Sequence, residues 1–262
     1  MSASDAGVAD ARYDGLSGGE LAATLGVPNV VVFDEVASTL DVAHALGGRG
    51  APAGTLILAD KQTAGRGRMG RSWSSESGAG VWLTLIERPT AEDLVSVLSL
   101  RIALCLARAL DAFSDSAVEV KWPNDLHVAN RKLAGILVET RWRAGRLDWL
   151  AVGVGINLRA PAGLEAAALR IGTSRLDVVR AAVPAIREAI SMRGRLHADE
   201  CRDFERRDLA TGRRCREPAI GVVAGIDASG ALLLDTAAGR VAFHAGSLVF
   251  DDANAPTGGG SA

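Results

Sequence analysis

Between two apolar stretches, residues 55–60 and 81–87, the chain runs through Gly65-Arg66-Gly67-Arg68-Met69-Gly70-Arg71, with Gln62 before this run and Trp73 after it. No other segment limits the fold so strongly. Its glycines fit the G-x-G-x-x-G spacing of a dinucleotide-binding turn, but such a turn needs a strand that passes directly into a helix, whose N-terminus then meets the pyrophosphate. Here a long polar loop over 63–80 leads instead to a second apolar strand, which excludes the doubly wound dinucleotide fold. What is left is a flexible backbone rich in amide donors and carrying three guanidinium groups. It suits a ligand whose charge is phosphate, and equally a solvated arginine loop or a nonspecific RNA contact. Trp73 adds a flat apolar face on which a base can lie.

The flanking sequence indicates the kind of core that supports this loop. The chain has 262 residues, of which 48% are hydrophobic, enough for one α/β core and a small appended domain. A net charge of -2 gives no overall attraction to nucleic acid or anionic lipid. Cys105, Cys201 and Cys215 are widely spaced and odd in number, which suggests neither a disulfide framework nor a metal site. The N-terminus lacks a signal-peptide layout and no apolar run reaches membrane-spanning length, so the expectation is a soluble cytoplasmic protein with no membrane partner. Only three lysines occur, Lys61, Lys121 and Lys132, and all lie in or beside motif-bearing stretches.

Periodicity and breakers predict a lead-in over 1–29 with one short helix near 20–25, then a strand at 30–36 and a helix at 40–46 with Ser38 or Thr39 as its N-cap. Strands follow at 55–60 and 81–87, and residues 94–113, apolar nearly all round, read as a buried helix. Four adjoining strands are expected at 118–122, 126–128, 133–142 and 147–158, and helices at 176–196 and 198–207. The main domain is therefore expected over 30–208, a small all-β barrel over 209–250 and a disordered tail over 251–262. The fold class is α+β, a mixed sheet packed with helices plus the small barrel.

Two further segments carry polar groups in patterns that suggest chemistry. Lys121-Trp122-Pro123-Asn124-Asp125 puts an ammonium, an amide and a carboxylate around a rigid turn; it can bind phosphate, ribose or Mg²⁺, or be an ordinary turn with a local salt bridge. In Arg131-Lys132-Leu133-Ala134-Gly135-Ile136-Leu137-Val138-Glu139 a basic pair opens an apolar strand, and Gly153-Val154-Gly155-Ile156-Asn157 offers a neighbouring strand with glycines. Gly135 and Gly153 leave room either for a ligand lying on the backbone or for close strand packing. Asn157 reads as a hydrogen-bonding site residue or as a strand terminator.

Taken in order, G-R-G-R-x-G-R-x-W, K-W-P-N-D, R-K-L-A-G-I-L and G-x-G-I-N resemble the biotin–protein ligase family over residues 30–158, and the C-terminal β segment is similar to the SH3-like domain of those ligases. The resemblance implies that Ser38, Thr39 and Gln62 hold the polar ends of biotin. It implies that Arg66, Gly67 and Arg68 belong to a loop that folds over biotin and its adenylate, beside Gly135 and Gly153. Lys132 would contact the reacting carboxylate and phosphate, and Lys121, Arg68 and Lys132 would supply the catalytic charge. Arg71, Trp73, Asn124, Asp125 and Asn157 would lie around ATP, with Mg²⁺ as a cofactor whose ligands are unassigned. Leu40 stands where the family usually has asparagine, so one polar contact to biotin is missing.

The implied reaction activates biotin with ATP to biotinyl-5'-AMP and then joins biotin to a lysine of a biotin carboxyl carrier protein domain, as found in acetyl-CoA carboxylase. Some family members carry an N-terminal DNA-binding domain. The 29 residues before the first core strand hold one arginine and no lysine, so the expectation is a catalytic-only form with no DNA partner. Two other readings compete, a lipoate or octanoate ligase and a noncatalytic RNA-binding module. The motif wording opposes the first, and the negative charge and lack of an RNA motif oppose the second. The arginine loop is expected to be mobile without ligand and ordered with it, because eight of the fourteen residues 65–78 are Gly or Ser and only Met69 and Trp73 can pin it by apolar contact.

Overall fold

A computed structural model describes residues 11–251. Seven strands form the main sheet: β1 (Asn29–Val36), β2 (Thr55–Gln62), β3 (Gly80–Glu87), β4 (Glu119–Lys121), β5 (Asp125–Val128), β6 (Arg131–Arg143) and β7 (Arg146–Asn157). Their order is β1-β2-β3-β7-β6-β5-β4; β1 and β2 run parallel and every other neighbouring pair runs antiparallel. The long β6–β7 hairpin turns at Ala144 and Gly145, both at positive φ.

Side chains alternate across the sheet, so each strand presents one set of residues to each face. Leu56, Leu58, Val152 and Val154 belong to the large core, which also takes up α3 (Leu98–Leu110) and α4 (Arg175–Ser191). The opposite face holds a smaller cluster: Ile57, Ile86, Trp149 and Ala151 pack against Leu40 and Ala43 of α2 (Thr39–Gly48). Glycine is needed near the end of α2, since a Cβ on Gly47 would lie 2.9 Å from the Trp149 ring.

Three expectations are corrected. The stretch before β1 is not a loose lead-in from residue 11 onward: α1 (Gly18–Leu25) is closed by a Ser17–Glu20 capping box, and Tyr13 and Leu21 are buried in the main core. The helix expected over 94–113 begins only at Leu98, because Leu94 and Val97 are buried within turns and so mimic a continuing apolar helix face. The helix expected to reach 196 ends at Ser191. Gly194 adopts a left-handed conformation, and Leu196 is buried beyond the helix. Residues 1–10 and the tail expected from 252 onward lie outside the described residues.

After α5 (Ala198–Arg207) come β8 (Arg214–Glu217), β9 (Gly221–Ile226), β10 (Leu232–Thr236), β11 (Gly239–Phe243) and β12 (Val249–Phe250), an antiparallel sheet ordered β11-β10-β9-β8-β12. Val223, Leu232, Leu234 and Leu248 join the main core, and Trp122 Nε1 donates to the Gly230 carbonyl at 3.0 Å. The small domain is thereby fixed against the turn that follows β4. No helix among the described residues is long and apolar enough to cross a membrane.

Candidate active site

A cavity of about 390 Å³ opens on the α2 face of the sheet, over the middle of β6 and β7. The loop between β2 and β3 forms one side, and residues 247–250 of the small domain form another. Register pairs Gly135 with Gly155 and Leu137 with Gly153, so the alternation puts all three glycines on the cavity floor. Of the two readings of Gly135 and Gly153, close packing is what the structure shows, by side chains seated on the backbone. A Cβ on Gly155 would stand 2.5 Å from Cε2 of Trp73, one on Gly135 3.0 Å from Cζ3 of the same ring, and one on Gly153 3.1 Å from Leu40. Trp73 and Leu40 occupy the gaps, and the cavity lies around them.

One end of the cavity is an uncharged hydrogen-bonding array. Thr84 Oγ1 donates to Thr39 Oγ1 at 2.8 Å, which donates to Gln62 Oε1 at 3.1 Å. Gln62 Oε1 also accepts from the Thr39 backbone at 2.9 Å, and Gln62 Nε2 donates to Ser75 Oγ at 2.8 Å. Ser38 takes the N-cap position of α2 but makes no capping bond. It is 1% exposed, lines the cavity, and its Oγ has no partner among the described residues. A buried, unpaired hydroxyl on a residue that lines a cavity is available to a polar ligand atom. Leu40, the family departure, adds an apolar wall beside it.

The other end is strongly cationic. Lys132 Nζ lies 2.8 Å from Asp125 and 5.1 Å from the Trp73 ring. Arg68 donates to Asn124 Oδ1 at 3.1 Å and to the Gly246 carbonyl at 3.3 Å, while Asn124 Nδ2 donates to the Ile136 carbonyl at 2.7 Å. Arg71 donates to Ser247 Oγ at 3.4 Å. Burial pushes the Arg68 and Lys121 pKa values down, with neighbouring cations adding to the shift and Asp125 opposing it. Five cations and one carboxylate line the cavity: Arg66, Arg68, Arg71, Lys121 and Lys132 against Asp125.

The arginine loop is pinned by polar contacts that the sequence reading did not foresee. Gly67 N donates to Arg71 O at 2.7 Å and Trp73 N to Gly65 O at 2.8 Å, forming a small hairpin whose tip, Met69 and Gly70, has positive φ. A Cβ on Gly65 would stand 2.5 Å from the Trp73 carbonyl, which explains glycine there. Arg66 pairs with Asp41 of α2 at 2.9 Å and approaches Glu139 of β6 at 3.6 Å; Glu139 also contacts His44.

The structure thus gathers every expected site residue into one cavity except Asn157. That side chain is 2% exposed and donates to the Ala167 carbonyl at 3.2 Å, so it secures the segment after β7 instead of lining the cavity. Thr84, Ser75, Asp41, Ser247 and Phe250 were missed. Thr84 had a legible signal, a polar residue inside an apolar strand; the others come together only through long-range packing.

The Biotin/lipoate A/B protein ligase family model matches residues 33–157, and the Biotin protein ligase C terminal domain model matches residues 213–251. A biotin–[acetyl-CoA-carboxylase] ligase of Paracoccus denitrificans is 32% identical over 226 residues, covering 74% of this chain and 89% of that protein. The chain belongs to the biotin protein ligase family. The family likeness extends to the fold: a solved biotin protein ligase from Aquifex aeolicus, in complex with biotin and ATP, is 26% identical with a TM-score of 0.72, covering 86% of this chain and all of that one. A bifunctional ligase/repressor BirA of Bacillus spizizenii is 39% identical over 131 residues, half of this chain but only 40% of that relative's length.

Proposed function

We propose that the chain activates biotin with ATP to biotinyl-5'-AMP and transfers biotin to a lysine of a biotin carboxyl carrier protein domain. The observation that carries this reading is one cavity with two unlike ends, a neutral hydrogen-bonding end with the unpaired Ser38 hydroxyl and a cationic end with Arg68, Arg71, Lys121 and Lys132 against Asp125. Such a cavity suits a ligand with a polar head, an apolar body and a carboxylate, set beside a polyphosphate. Family membership and the relatives' names point to the same chemistry.

In the first step a biotin carboxylate oxygen attacks the α-phosphorus of ATP and the bond to pyrophosphate breaks. Two anions must approach, so Lys132, Lys121 and Arg68 offset charge that builds on the phosphoryl oxygens. In the second step the lysine amine of the acceptor attacks the mixed-anhydride carbonyl, the bond to AMP breaks and the amine loses its proton. Ser38, Thr39 and Gln62 orient the polar head, and Trp73 supplies an aromatic face beside the nucleotide. Asp125 is the one carboxylate lining the cavity and is paired with Lys132, and no cluster of three metal-ligating side chains occurs among the described residues. These residues fit Mg²⁺ that arrives as the MgATP complex; the Asp125 carboxylate would help hold it, and the ion would offset phosphate charge.

The acceptor is proposed from the relatives' names alone. ATP–pyrophosphate exchange tests the reading: exchange that depends on biotin, and not on lipoate or octanoate, is expected. Exchange driven by lipoate instead would move the chain to the lipoate branch of the matched family.

A further inference from the structure

Lys121 occupies an unusual position among the cavity cations. Across the β4–β5 hairpin it is in register with Asp125, the natural counter-ion, yet Asp125 is committed to Lys132 at 2.8 Å. Among the described residues Lys121 makes no ion pair within 4.0 Å. Its ammonium instead lies 5.0 Å from the ring centroid of Phe250 on β12. The same ring is met by Arg213, whose Cζ is 3.4 Å from the centroid. Arg213 immediately precedes β8, and Phe250 pairs with Cys215 of β8, so the small domain brings the ring and the second cation together.

The physical consequence depends on what holds the ammonium. A carboxylate would fix the lysine but cancel its charge. An aromatic face attracts the cation through its quadrupole, more strongly the less solvated the pair, and leaves the net charge in place. The lowered Lys121 pKa, caused first by burial and then by Lys132, Arg213 and Arg71, agrees with an ammonium short of counter-charge.

We propose that Phe250 is a positioning residue for the reaction assigned above: its ring holds the Lys121 ammonium at the cavity wall with its charge un-neutralised for an ATP phosphate group. The inference rests on the biotin-activating reading. It gives the small domain a direct part in binding the nucleotide.

The test compares Phe250→Leu with Phe250→Tyr in biotin-dependent pyrophosphate exchange. Phe250→Leu keeps an apolar side chain without a π face, and should raise KM for ATP three- to tenfold while leaving KM for biotin unchanged. Phe250→Tyr keeps the face and should stay within about twofold of the wild type. On a Lys121→Ala background Phe250→Leu should add nothing. Equal losses for Leu and Tyr, or a full loss on the Lys121→Ala background, would overturn the proposal. Should Phe250→Leu fold poorly, 3,5-difluorophenylalanine at position 250 weakens the quadrupole at similar size, and KM for ATP must still rise.

A second readout needs no activity. The chain has only three lysines, so reductive methylation with ¹³C-formaldehyde, which keeps the charge, gives three assignable dimethyl-lysine signals. The Lys121 signal should be shifted by the Phe250 ring current in the wild type and lose that shift in Phe250→Leu. An unshifted signal overturns the contact itself, whereas a shifted signal in a protein that shows no exchange with biotin would overturn only the functional reading.

Discussion

Gly155→Ala tests how the cavity floor is built. Gly155 lies near the C-terminal end of β7 with the Trp73 ring directly above it, and a Cβ there would stand 2.5 Å from Cε2 and 2.9 Å from Cζ2. Carbon atoms rest at about 3.5–4.0 Å, so the ring must retreat by roughly 1 Å. It is confined on its other sides: its centroid is 6.5 Å from that of Trp82, edge on, and Cζ3 already lies close over Gly135. Overpacking of this kind costs about 1–3 kcal/mol. Replacing a strand glycine returns about 0.4–1 kcal/mol by restricting the unfolded chain. The net expectation is a loss of about 1–2 kcal/mol in urea unfolding, a lowered midpoint at unchanged slope. Removing the obstacle reverses the sign, so on a Trp73→Ala background the same substitution should be neutral or mildly stabilising. Gly153→Ala, whose Cβ would meet the flexible end of Leu40 at 3.1 Å, should cost less. An equal cost for Gly155→Ala with and without the Trp73 ring would refute the claim that this glycine exists to seat it.

Two other substitutions follow from the same geometry. Asp41→Asn removes the closer of the two carboxylates that hold Arg66, an exposed pair worth about 0.2–1 kcal/mol, so trypsin should cut the ligand-free loop at Arg66, Arg68 and Arg71 up to about fivefold faster; an unchanged rate would show that Asp41 does not hold the loop. Burial lowers the His127 pKa from 6.5 to about 4, so the unfolded state binds a proton that the folded state refuses between those values. Stability from this group is complete above pH 6.5 and falls as pH drops toward about 4, by about 3 kcal/mol in all. His127→Leu should flatten that part of the stability–pH curve, and an equally steep curve in the variant would assign the acid sensitivity elsewhere.

Much of this fold was legible because sheet alternation and glycine breakers are local signals. The loop from β2 to β3 was correctly read as strand–loop–strand, and the residues of K-W-P-N-D and R-K-L-A-G do meet in one cavity. The failures share a different cause. The spacing of Gly135 and Gly155 shows that something approaches the backbone, but not that it is Trp73, sixty or more residues earlier in the chain. Trp122 read as part of a rigid turn; that its Nε1 also anchors the small domain through Gly230 depends on a partner more than a hundred residues later. Asn157 sits in a motif stretch, yet its side chain donates to the Ala167 carbonyl and does not line the cavity. The contacts of the loop were not legible, because its ion pairs with Asp41 and Glu139 and its hydrogen bonds to Gly246 and Ser247 depend on partners that periodicity does not reveal. Burial in turns, as at Leu94 and Val97, likewise counterfeits a helix face.

The central claim is that biotin and ATP react with one another in the cavity beside Lys132. The most direct measurement is mass-spectrometric detection of biotinyl-5'-AMP after the purified chain is incubated with biotin and MgATP, in parallel with Lys132→Ala of verified native melting temperature. The adenylate should form only when both substrates are present, with pyrophosphate released in equal amount. Its rate of formation should fall at least tenfold in the variant, the loss of about 1.4 kcal/mol or more of transition-state stabilisation expected of a cation facing the reacting phosphate. No adenylate from the wild-type chain, or a wild-type rate from Lys132→Ala, would contradict the account.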